Sequence, residues 1–257
     1  MDFDNSRMRD IFFDLHKGLP RQGPGNRACT ERALRLAGPL PGSGRVLDIG
    51  CGPGMQAIDL AGLLPDAEIL ALDTHEPFVA EARRRAAGGG LGNRVKATIG
   101  DMASLPFPTA SFDLIWCEGA AYIMGVGQAL RAWRPLLKPG GKLALSELVW
   151  LTPEPPDEVR HFWSEAYPDM RDLAACRSLV RDCGYHLLGD FPLPERAWWE
   201  HYYTPLEQRL RQLAPTYAGD PLAEAVLREC REEIITYRKY AATYGYVFLV
   251  MARDRDT

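Results

Sequence analysis

The segment Val46-Leu47-Asp48-Ile49-Gly50-Cys51-Gly52-Pro53-Gly54-Met55-Gln56 carries the strongest chemical signal in the chain. An apolar run ends, glycines turn the backbone, and a helix-forming run begins. Glycine permits a tight bend and lets a ligand approach without meeting a Cβ. The spacing is GxGxG rather than the GxGxxG of a dinucleotide loop, and no lysine follows as it does in a nucleotide phosphate loop. Pyrophosphate binding, and with it nicotinamide-dependent oxidoreduction, is disfavoured. Asp73 closes the next apolar run, where a carboxylate can accept from both hydroxyls of a ribose. Asp101 follows the third run, where it can accept from an adenine amino group while Met102 packs on the ring. The plain alternatives are a tight turn, a solvated loop carboxylate and a helix N-cap.

The elements that must position these groups alternate. Strands are expected at 45–49, 68–73, 95–99, 112–117 and 142–149, and helices at 55–64, 76–88 and 127–137. Near-continuous apolar strands alternating with helices imply a parallel sheet covered on both faces, wound twice by right-handed crossovers. Ahead of this core, Met8, Ile11, Phe12 and Leu15 give helical spacing over 4–17. Pro20, Gly23, Pro24 and Gly25 break that helix, and a second is expected at 26–37. After Trp150 the rhythm changes. Residues 151–170 hold Pro153, Pro155, Pro156 and Pro168 and are assigned no regular element. A helix at 171–182, a strand at 185–192, an aromatic segment at 197–205, a helix-rich stretch over 205–243 and a final strand at 245–252 follow.

Bulk properties bound the class. The 257 residues suit one α/β domain, or a core with a smaller cap, and 46% hydrophobic with 25% charged residues is an ordinary globular balance. A net charge of −4 offers no basic excess for a phosphate backbone, so nucleic acid is not expected as the main partner. No run reaches the roughly 18 apolar residues of a membrane span, and the acidic, interrupted start is unlike a signal peptide. A cytoplasmic location is therefore expected. Cys29, Cys51, Cys117, Cys176, Cys183 and Cys230 form no CxxC pair and read as buried, reduced thiols rather than a metal site.

Taken together, DIGCGPG, LALD, GDMASLPF, FDLIWCEGAAY and LLKPGGKL resemble, in order and spacing, the motifs of class I S-adenosylmethionine (SAM)-dependent methyltransferases. The likeness is greatest to the small-molecule branch that includes quinone-biosynthesis methyltransferases and uncharacterised bacterial relatives, and it covers about 45–150. It implies a Rossmann-like, doubly wound seven-stranded α/β sheet with the last strand antiparallel, plus helical and aromatic cap additions. One domain, 1–257, would divide into an N-terminal helical lid (1–40), a SAM-binding core (41–150), cap helices with a sheet strand near 185–192 (151–244) and a terminal strand (245–253). The resemblance implies SAM as cofactor. Asp48, Gly50, Cys51, Gly52, Gly54 and Gln56 would lie about its methionine part, Asp73 and Thr74 at the ribose, Asp101 and Met102 at the adenine, and Glu118 at the amine. Relatives that modify adenine or amides carry Asn/Asp-Pro-Pro-Tyr/Phe where this chain has Cys117-Glu118-Gly119-Ala120-Ala121-Tyr122. That departure argues for a small-molecule acceptor instead, and leaves a homodimer open.

In such chemistry the sulfonium activates the methyl group and the protein orients. A metal is not required, and a base is needed only if the acceptor must lose a proton. The candidates near the reacting groups are Glu118, Tyr122, Glu147 and His161, the last titrating near neutrality. Arg21, beside Gln22, can close over the SAM carboxylate through two parallel bonds. Trp163, Tyr167, Trp198, Trp199, Tyr202 and Tyr203 either wall an acceptor pocket or form the core of a lid. Arg228, Arg231, Glu232, Glu233, Arg238 and Lys239 read as a solvated helix face. The alternative function is a SAM-binding regulatory or scaffold protein without transfer.

Overall fold

The structure, a computed structural model, describes residues 5–254, so the expected helix start at Asp4 lies outside the described residues. β1 (Arg45–Ile49), β2 (Glu68–Asp73), β3 (Val95–Ile99), β4 (Phe112–Glu118) and β5 (Leu137–Trp150) pair in parallel. β6 (Arg171–Asp172) is a short addition beside β5, and β7 (Tyr185–Pro192) and β8 (Tyr244–Arg253) complete the order β3-β2-β1-β4-β5-β8-β7. β8 runs antiparallel to both neighbours, so the last strand enters the sheet between β5 and β7. This is the Rossmann-like, doubly wound order with an antiparallel last strand.

Helices α1 (Ser6–His16), α2 (Arg27–Ala37), α3 (Met55–Leu63) and α4 (Glu76–Gly88) occupy the first part of the chain. α2, α3 and α4 bury small residues, among them Ala33, Ala57, Ala61 and Ala82, against one face of the sheet. α5 (Val126–Trp133) and, after α6 (Asp157–Ala166), α7 (Leu173–Asp182) cover the other face through Leu130, Trp133, Cys176 and Val180. α8 (Glu195–Trp198), α9 (Thr204–Leu213) and α10 (Pro221–Tyr240) join α1 in a separate core beyond the C-terminal ends of β5 and toward Tyr244.

Several elements differ from expectation. α5 stops at Trp133 and a 3-10 turn, Arg134–Leu136, follows. Pro135 lacks the N–H that would continue the helix. β5 then begins at Leu137 rather than 142. The proline-rich stretch contains α6, because Pro153, Pro155 and Pro156 precede the helix and Pro168 follows it. Proline punctuates that helix without interrupting it. The aromatic segment is helical too, with a π-helical turn at Trp199–Tyr203.

The glycine loop is fixed by close packing. Gly54 has φ +81°, and a Cβ there would stand 2.6 Å from Ala82 Cβ and 3.0 Å from its Cα. Gly54 thus sets the approach of α4 to the loop. Gly18 has the same φ of +81° with open space around it. Gly54→Ala is expected to lose about 2–4 kcal/mol in urea unfolding, combining left-handed strain with overpacking, whereas Gly18→Ala is expected to lose only about 1 kcal/mol. Equal losses would show that the contact with α4 carries no cost.

Candidate active site

The strand order reverses between β1 and β4, and a cavity of ≈ 570 Å³ lies at their C-terminal ends. That volume suits a small molecule, and the place is the usual one for open α/β sheets. Four pieces of chain line it: the strap from Arg21 to Pro24, the loop Gly50–Gly52, the run Asp73–His75, and Glu118–Ala120 with Tyr122 and Ile123. α1 adds Phe12 and Phe13, and α4 adds Phe78.

The strap is held by a buried ion network. Arg21 is 3% exposed, and its guanidinium donates to Asp59 at 2.8 Å and to Glu118 at 2.7 Å. Arg85 donates to the carbonyls of Leu19 and Pro20, and the Gly25 N–H donates to Ala197. At Gly25 a Cβ would stand 2.6 Å from Glu118 Oε2 and 2.9 Å from Arg21, so only glycine lets the backbone cross the pair. Trp116 Nε1 donates to the other oxygen of Glu118. Burial nonetheless pushes the Glu118 carboxyl above its ordinary value, with Arg21 opposing. Asp48 lies fully buried under the loop, with no hydrogen-bond partner for either carboxylate oxygen. Burial, and then the neighbouring Glu118, push it well above the usual carboxylate range.

The loop itself is pinned from two sides. The Cys51 N–H donates to Leu72, and Gln56 Nε2 donates to the Cys51 carbonyl. Asp73 accepts the Gly52 N–H on one oxygen and the His75 N–H on the other, both at 2.9 Å. Each oxygen retains a lone pair for a ligand. His75 stacks on Phe13 at 3.7 Å, so α1 closes on the end of β2.

Residues 46–141 match the family described as Methyltransferase domain. This stretch is a class I, SAM-dependent methyltransferase domain. Beyond it, the chain is similar to the 27-O-demethylrifamycin SV methyltransferase of Amycolatopsis mediterranei, with 37% identity over 50% of this chain and 47% of that protein. It is also similar to Methyltransferase GfsG of Streptomyces halstedii, with 34% identity over 58% of this chain and 56% of that one. The chain thus spans about half the length of these curated relatives. The fold is that of a SAM-dependent methyltransferase from Thiobacillus denitrificans solved with S-adenosyl-L-homocysteine (TM-score 0.78, 24% identity, covering 95% of this chain and 98% of that one).

The site of the methyltransferase domain fits this cofactor on its own geometry. A Cβ at Gly50 would stand 2.7 Å from Ala120, and one at Gly52 would stand 3.2 Å from Gln22. Bare backbone therefore forms the cradle. Asp73 has spare acceptor capacity for paired hydroxyls. Asp48 and Glu118 place buried acids near a cationic end, and Arg21 Nε is a buried donor without a partner.

Of the residues expected at the site, Arg21, Gly50, Cys51, Gly52, Gln56, Asp73, Thr74, Met102, Glu118 and Tyr122 line this cavity. Asp48 and Gly54 support it from behind. Asp101 is not among the lining residues. Its carboxylate accepts the Ala103 N–H at 2.9 Å within a turn, and no helix follows for it to cap. His161 is not brought to the cavity. Its side chain is 78% exposed and pairs with Glu165 on the outer face of α6, since Val159 takes the inward position. The aromatic set forms the cap core rather than the cavity wall: Trp198 stacks on Tyr237 at 4.0 Å, and Tyr202 and Tyr203 are buried with it. Glu233 departs from the solvated face of α10 and accepts the Tyr203 hydroxyl at 2.9 Å in that core.

Sequence reading missed Asp59, Phe13, Phe78 and Ile123. A lone acid in the otherwise apolar helix MQAIDLAGL was the available signal for Asp59. Phe13 sits off the buried stripe of α1 formed by Met8, Ile11 and Leu15, and an aromatic there needed a partner.

Glu147, near the end of β5, is 2% exposed, and burial pushes its carboxyl up to about 7. Its folded value exceeds its unfolded value, so its contribution to stability is full below about pH 4.5 and is lost as pH rises through 7. Glu147→Gln is expected to stabilise the fold at pH 8 by about 2–3 kcal/mol and to have little effect at pH 5, read by chemical denaturation at both pH values. A stability gap independent of pH would count against the shift.

Proposed function

We propose that the chain transfers a methyl group from SAM to the oxygen of a small, largely apolar hydroxyl compound. The observation that carries this reading is the polarity of the cavity. Its lining combines charged groups, Arg21, Asp73 and Glu118, with uncharged rings and an aliphatic group, Phe12, Phe13, Phe78, Tyr122 and Ile123. When bound, SAM supplies a sulfonium-activated methyl group. The protein's part is to bind, orient and exclude water. Asp73 takes the ribose hydroxyls, and Asp48 with Glu118 faces the ammonium. Arg21 takes the carboxylate, and Met102 packs by the adenine. The aromatic rim holds the acceptor in line at contact distance, about 3–3.5 Å for a reactive geometry.

Oxygen as the receiving atom is supported by relatives named for it, such as the nocamycin O-methyltransferase of Saccharothrix syringae. α1 and the strap serve as the lid, the region 41–150 as the cofactor core and 151–244 as the cap. Buried, free cysteines support a reducing, cytosolic setting.

Calorimetry tests the cofactor. S-adenosyl-L-homocysteine should bind more tightly than about 1 mM. Asp73→Ala should weaken it by about 100-fold through loss of two charge-assisted hydrogen bonds to the ligand. Labelled methyl from SAM should then appear in added phenols or alcohols. Binding without any transfer would favour a sensing role, and no binding would overturn both.

A further inference from the structure

Glu147 is a buried acid that the cofactor site leaves unused. One carboxylate oxygen accepts the N–H of Leu148 at 3.0 Å, and the other, Oε2, is buried without a hydrogen-bond partner. None of the groups acting on it is a cation. A buried acid of this kind is costly, and a glutamine or an apolar side chain of the same volume would be cheaper to bury. Structural need does not account for it.

Its surroundings point to the cavity. The facing groups are Cys117 of β4, Tyr122 of the 3-10 turn Ala121–Met124, Tyr167 after α6, Cys176 of α7 and Tyr246 of β8. Burial first, and the Glu147 charge as a lesser cause, raises each of them, so these thiols and phenols are neutral near pH 7, and the Glu147 carboxyl, pushed up to about 7, is the group among them that titrates. Tyr167 lies beside the carboxylate, and its ring stands 5.5 Å from that of Tyr122. Tyr122 lines the cavity, and its side chain is the one phenol among the lining residues.

Resting on the proposed function, we propose that Glu147 receives the proton of a hydroxyl acceptor through Tyr167 and Tyr122, which makes the acceptor an alcohol or a phenol. The step is a proton shift without change of oxidation state. The acceptor's O–H proton passes to the Tyr122 oxygen as the Tyr122 proton passes to Tyr167 and the Tyr167 proton to Oε2. The lone pair left on the acceptor oxygen becomes the nucleophile. Glu147 acts through two tyrosines and is a positioning residue for the proton, competent only when ionised.

The test uses phenol as the probe, titrated by calorimetry into the full chain saturated with S-adenosyl-L-homocysteine, between pH 5.5 and 8.5. Phenol affinity should rise about tenfold as pH passes through about 7 in the wild type, the difference between a neutral and a charge-assisted hydrogen bond. In Glu147→Gln the profile should be flat, and the infrared carbonyl band of a protonated carboxyl that fades near pH 7 should be missing. Tyr167→Phe should flatten the phenol profile while keeping that band, an outcome a purely structural role would not produce, and it serves as the test if the glutamine variant does not fold. Identical phenol profiles in wild type and variants, or no phenol binding by wild type that holds S-adenosyl-L-homocysteine, overturn this proposal alone. Failure of the wild type to bind S-adenosyl-L-homocysteine overturns the cofactor reading and this proposal together.

Discussion

One buried base set among buried acids governs this structure. Arg21 sits between Asp59 and Glu118, and Asp48 lies close enough to Glu118 for each charge to disfavour the other. Removing the guanidinium would strand two buried carboxylates, a change that costs several kcal/mol in measured systems. The strap therefore cannot leave its place without an alternative partner for these acids. The same balance explains why the pocket suits a cation: the floor has more buried acid than base, and an arriving ammonium or sulfonium supplies the missing charge. The ordering of strap, loop and strand ends is one electrostatic problem solved once.

Local chemistry was legible in the sequence, and long-range chemistry was not. The turn Gly50–Gly54 and the acid Asp73 follow from spacing within a single strand–turn–helix unit, and the structure places both in the same crevice. Arg21 and Glu118 are separated by 97 positions, and no pattern in either segment names the other. Asp101 differs: its observed environment is local, a turn closed by the Ala103 N–H on one carboxylate oxygen, which leaves acceptor capacity on the other. The apolar final run marked a buried strand, whereas its antiparallel place beside β5 came from the resemblance to methyltransferases. α6 was not legible, because a proline-dense stretch was assigned no regular element when the prolines stand at the helix boundaries.

The aromatic cap is the clearest lesson in reading residue types without geometry. A dense set of tryptophans and tyrosines looks the same in sequence whether it binds a ligand or fills a core. Here Trp198, Tyr203 and Tyr237 stack on one another, and polar atoms such as the Tyr203 hydroxyl find partners within the cap. The work of facing a ligand falls instead to rings from α1 and the 3-10 turn. These rings are less conspicuous in sequence, and Tyr122 is 44% exposed beside the 66% exposed aliphatic Ile123. Solvent exposure on an otherwise well-packed surface is a better sign of recognition than aromatic density.

The cap and the cofactor crevice are nonetheless linked through a few hydrogen bonds. Gly25 donates to Ala197 of α8, and Asn26, which caps α2, also donates to Glu200. The strap is thus tied to the cap at one end and to the acids of the crevice at the other. α1 is packed between α9, α10 and the ring of His75, so it senses both layers. A ligand that changed the charge at Glu118 would act on Arg21, the strap and α8 in turn, through contacts that are already made. Such a chain lets a small rearrangement at the charged end reach the aromatic rim without any large movement of the sheet, whose strands are pinned on both faces. The sheet rests on apolar packing on its two faces, and the strap above its edge rests on one arginine.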